Sequence, residues 1–70
     1  MKLFVWKEVL IDYTSGIAFA LAENVEDARK QIAAKYEKEE GYVSSELKKD
    51  LFDEPIIIEK PEGFYIWGGG

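Results

Sequence analysis

The stretch Gly16-Ile17-Ala18-Phe19-Ala20-Leu21-Ala22 decides how this chain is read. Strict alternation puts Ile17, Phe19 and Leu21 on one side of an extended strand and Ala18, Ala20 and Ala22 on the other. An all-alanine face lets another element approach closely, or leaves room for large neighbours such as Trp6. The opposite face carries three bulky apolar groups.

Upstream, Lys2 to Leu10 reads as a strand rich in Val, Phe, Trp and Leu, with no Gly or Pro. Its faces are Leu3, Val5, Lys7, Val9 and Phe4, Trp6, Glu8, Leu10, both mainly apolar, which suits a strand covered on both sides. "DYTSG", Asp12 to Gly16, reads as the hairpin loop, with Asp12 bonding its own backbone and Gly16 free to take positive φ. Downstream, Asn24 is a good N-cap, with Glu26 and Asp27 in the first turn. The helix is expected from Val25 to about Glu40, ending at Gly41. Its apolar stripe is slim: Val25, Ala28, Ile32 and Tyr36, with Ala33 beside it. Val43, Leu47 and Leu51 recur every fourth residue, so Ser44 or Ser45 caps a short helix over 45–52. "PIIIEK" and "FYIW" read as two further strands joined by a turn at Lys60–Gly63. The expected fold is α+β: a four-stranded, mainly antiparallel sheet in the order β-β-α-(α)-β-β, with one long and one short helix packed on it. Residues 1–70 form one domain, with 67–70 as a glycine tail.

The composition narrows the chemistry. Seventy residues lie near the small end of what folds alone. There is no Cys and no His, which removes disulfides, thiolates and the usual zinc ligands. The net charge of −5 argues against nucleic acid as a direct partner, since phosphate binding draws on clustered Lys and Arg. The longest apolar run, Gly16 to Ala22, is too short to span a bilayer, and "MKLFVWKEVLID" lacks a leader's cleavage site. A soluble protein, compatible with a reducing cytoplasm, is expected, with no cofactor and no metal.

Five aromatic residues sit in the two terminal strands: Phe4, Trp6, Phe64, Tyr65 and Trp67. If helices cover one sheet face, the other still carries about half of the apolar side chains, and aromatic enrichment is what interface cores show. A homodimer or a target protein on that face is one reading, and a core filled by the aromatics is the other. Residues 23–54 hold ten acids and six bases, with Glu37, Glu39 and Glu40 clustered near a helix end. Such a run is ordinarily a solvated face, but an acidic surface can also steer docking onto a basic groove. In the first loop, Asp12 and Tyr13 suit turn chemistry, or recognition by stacking and hydrogen bonding. No general base lies near the loop's Thr14 and Ser15, so no catalytic residue is assigned. The partner-binding candidates are Trp6, Asp12, Tyr13, Glu37, Glu39, Glu40, Tyr65 and Trp67.

Two resemblances add to this. The β-β-α-β-β order and the terminal Gly69-Gly70 resemble the ubiquitin-like sulfur carriers and modifiers of the β-grasp fold, which would make Gly70 the reactive carboxyl. Trp67, close before those glycines, departs from the flexible tail of that family. The runs "KLFVWKEVLIDYTSGIAFALAENVEDAR" and "EKPEGFYIWGGG" resemble small proteins carried by bacteriophages and prophages. That likeness implies a non-enzymatic protein that inhibits a host defence macromolecule, in the manner of an anti-CRISPR protein, by protein–protein contact. The alternatives are a sulfur carrier acting through Gly70, a sponge for a nucleotide signal, and a structural or assembly component.

Overall fold

A computed structural model describes residues 1–12 and 14–67. The elements are β1 (Lys2–Asp12), β2 (Thr14–Ala22), α1 (Val25–Glu40), α2 (Ser45–Asp50) and β3 (Ile56–Ile58). The strands form one antiparallel sheet in the order β2-β1-β3. The expected four-stranded sheet is therefore corrected to three strands with two helices. "FYIW" lies in no strand. β3 offers a template of only three residues, bounded by Pro55 and followed by Pro61, which has no N–H to donate. Aromatic alternation without a paired neighbour does not make a strand.

α1 starts where Asn24 accepts a hydrogen bond from the Asp27 amide at 2.9 Å. It stops at Gly41, whose φ of 84° lies in the left-handed region and whose N–H returns to the Glu37 carbonyl. Ser44 caps α2 in the same way, accepting from the Leu47 amide at 3.0 Å. Both helix starts therefore follow from residues that compete for backbone donors.

β1 is longer than expected and irregular. Trp6 pairs with Ala18 and Val9 with Gly16, so β1 advances three residues while β2 advances two. The bulge shifts the alternation, and Val9 joins Phe4 and Trp6 in the core rather than lying across the sheet from them. Gly16 does not serve by a positive φ; among the described glycines only Gly41 has one. Its role is steric: a Cβ there would sit 2.9 Å from the Val9 carbonyl oxygen. A second register shift follows between Val9 and Asp12, and Leu10 within it takes φ 49°. That conformation costs a side-chain-bearing residue about 1–2 kcal/mol. The Leu10 N–H is held there by the Asp50 carboxylate at 2.8 Å.

The core forms where the alanine face meets large neighbours. Phe4 and Trp6 pair across the strands with Ala20 and Ala18, so all four lie on one face. Ala28 of α1 and Leu47 and Leu51 of the α2 region complete the layer. Val25, Ile32 and Tyr36 pack against its rim, which makes the slim stripe of α1 its inner side. Ala28 is fully buried, as the close approach of α1 to small side chains requires. Burying each large apolar side chain contributes about 1.5–3 kcal/mol, a large share of the net stability that a domain of this size retains.

Substituting Gly16→Ala is expected to cost about 1–3 kcal/mol, since the clash is with backbone rather than a movable side chain. Gly63→Ala, where a Cβ meets nothing within 4 Å, is expected to change stability by less than about 0.5 kcal/mol. Urea denaturation reads both, and equal midpoints for the two variants would contradict the bulge geometry.

Candidate interaction face

The side of the sheet away from the helices is built by the partners of Leu3 and Val5. Leu21 and Ile58 flank Leu3, and Phe19 and Ile56 flank Val5. Val5, at the sheet's centre, is buried. The outer row is not: Ile17, Phe19 and Leu21 are 47%, 64% and 56% exposed. These are the bulky residues of the opening stretch, and their exposure follows from its alternation. Once the alanines commit to α1, the larger side chains must face the other way.

On the helical side, the small size of Ala18 and Ala20 leaves a groove of about 510 Å³ between β2 and α1. Ile32 and Leu47 contribute to its apolar walls, and Gln31, Lys35 and Glu39 stand along the α1 side. Lys35 and Glu39 form an ion pair at 2.8 Å, which holds the Lys35 ammonium above its ordinary value. The Gln31 amide donates to the Leu21 carbonyl at 3.2 Å. At the far end of α1, the Tyr36 and Tyr42 hydroxyls lie 2.7 Å apart with their rings edge-on at 88°. The hydrogen bond to Tyr42 is the main cause that raises the Tyr36 hydroxyl above the usual 10.0.

The candidates read from sequence are scattered. Trp6 is 3% exposed, so its expected place on a contact surface is corrected: it fills the space over Ala18, and its indole N–H donates to the Asp53 carbonyl at 2.8 Å. Asp12 is exposed at the end of β1, paired with Thr14, and Tyr13 lies outside the described residues. Glu37, Glu39 and Glu40 are all exposed but do not share one face. Residues two apart on a helix diverge by about 200°. Glu39 therefore stands with Lys35 beside β2, while Glu37 borders a second groove with Lys48 and Phe52. Tyr65 and Trp67 are 82% and 85% exposed, the highest values among the described aromatic side chains. Phe19, exposed on the outer row, is not among the candidates read from sequence, although its alternation with alanine carried the signal of that exposure.

Among the described residues no group of three or more acidic side chains is placed to hold a metal ion. No described helix is long and apolar enough to cross a membrane. The four-strand order behind the sulfur-carrier resemblance is not present among the described residues, and Gly69 and Gly70 lie outside them. No protein-family model matches the chain, and no curated protein or solved structure matches it.

The Tyr36 shift gives a pH prediction. A proton held more tightly in the folded state adds stability that is fully present below about pH 10, the unfolded value, and lost as pH rises through the higher folded one. Replacing Tyr42→Phe removes the partner and should move Tyr36 ionisation to lower pH, read as phenolate absorbance. An unchanged titration would show that the pair does not hold the proton.

Proposed function

We propose that this chain is a non-enzymatic binding protein of the phage-borne type, which inhibits a host defence macromolecule by protein–protein contact. The observation that carries the reading is the exposure of Trp67, Tyr65 and Phe19 in a chain of only 70 residues. Leaving such groups in water forgoes much of the burial a small domain needs, and aromatic residues of this kind dominate the energetics of protein interfaces. The anti-defence role rests on the phage-like runs quoted above. The exposed acids Glu37, Glu39 and Glu40 supply long-range attraction to a basic surface, in line with the net charge of −5.

The test is phage plating on bacterial strains that each carry one defence system, a CRISPR effector among them. Expression of the protein should restore plating on at least one strain by tenfold or more. The double variant Tyr65→Ala/Trp67→Ala should lose that rescue while keeping its thermal midpoint, because neither side chain is in the core. Rescue by the double variant equal to the parent would exclude the aromatic contact, and no rescue on any strain would overturn the anti-defence reading.

A further inference from the structure

We infer that the free edge of β2 pairs with the β2 edge of a second copy of this chain, joining two three-stranded sheets into one of six strands. The inference stands on the sheet edges and does not depend on any host target.

The two edges of the sheet differ sharply. β3 has three residues, is preceded by Pro55, and is followed by Glu59, Lys60 and Pro61, with Glu59 in an ion pair to Lys2 at 3.1 Å. Shortness, proline and charge are the ordinary ways in which an edge is kept from pairing. β2 has nine residues and none of these devices: Thr14–Ala22 contains no charge and no proline. It meets no second strand among the described residues. One protected edge and one open edge give a closed pair rather than a growing ribbon.

Charge selects the occupant. A chain of net charge −5 repels its own copy over most of its surface. The uncharged run between Asp12 and Glu23 is where two copies can meet without that penalty. Lys35 and Glu39, the charges of α1 that border this strand, already neutralise each other. A basic partner steered by the net charge would have no acid to meet here, whereas a second copy needs none.

The geometry supports a two-fold arrangement. The Leu21 carbonyl accepts from the Gln31 amide of α1, so a donor from outside the β1–β2 ladder can reach it. Strand alternation points the backbone groups of Phe19 and Ile17 the same way. In an antiparallel pair centred on Phe19, Phe19 faces its symmetry mate, and Ile17 and Leu21 face one another across the axis. Each is an apolar cross-strand pair, and all lie on the side away from the helices. The Gln31 contact yields to a backbone donor from the partner, so the Leu21 carbonyl stays satisfied.

Sedimentation equilibrium of the full chain tests this. The parent should show twice the 8.0 kDa chain mass. Phe19→Lys, which sets two like charges against each other at the axis, should return the mass to that of one chain. Its thermal midpoint at dilution should match the parent's diluted to monomer, since Phe19 is outside the core. Ile57→Lys, on the β3 edge and on the opposite side of the sheet, should leave the double mass intact. A parent of single mass at about 100 μM overturns the inference. So does a dimer that survives Phe19→Lys, or one that Ile57→Lys alone dissolves.

Discussion

The indole of Trp6 is the strut on which the rest of this small structure depends. Its ring fills the space that Ala18 leaves open, and its N–H ends on the Asp53 carbonyl, 47 residues away. Two more hydrogen bonds join the same region: Asp50 accepts from the Leu10 amide, and the Leu51 carbonyl accepts from Arg29 at 2.6 Å. α2 has only six residues and would not persist alone. It is held because its last turn and the residues after it are bonded to β1 twice and to α1 once. A chain without disulfides gains its long-range closure from these contacts and from the burial of Leu47 and Leu51 around them.

That arrangement decides which surface is used and which is left over. Trp6 and Phe4 occupy the alanine side, so both helices gather there. The other side receives no helix, and its outer row stays exposed although it is as apolar as a core. The same commitment makes β2 an outer strand. An uncharged edge and an apolar face therefore come as a pair, both consequences of one alternating heptapeptide. Pairing through the edge would extend the face rather than cover it, and would leave Tyr65 and Trp67, which lie outside β2, to a further partner.

Much of this was legible in the residues. Asn24 and Gly41 mark both ends of α1, Ser44 marks the start of α2, and the Ile/Phe/Leu against Ala alternation separates the two faces of β2. The bulge was not legible, because Val9 is apolar and reads equally well on either face. The consecutive exposed polar residues Lys7 and Glu8, which break the apolar alternation of β1 between Trp6 and Val9, were its trace. The fourth strand was misread because propensity describes a residue's fitness for a sheet, not the presence of a neighbour to pair with. Trp6 was placed on a surface although its cross-strand partner is an alanine, which is the sign of a filled space. The acidic cluster looked continuous along the chain, and helical rotation divides it.

The most direct measurement is hydrogen exchange of the two indole N–H groups, followed by NMR. Trp6 is 3% exposed and hydrogen-bonded, while Trp67 is 85% exposed. The Trp6 proton should exchange only through global unfolding, at a rate set by the stability from urea denaturation, and the Trp67 proton should be lost at the rate of a free indole. Equal and rapid exchange of both would contradict the account, because Trp6 would then not be the strut that closes the fold.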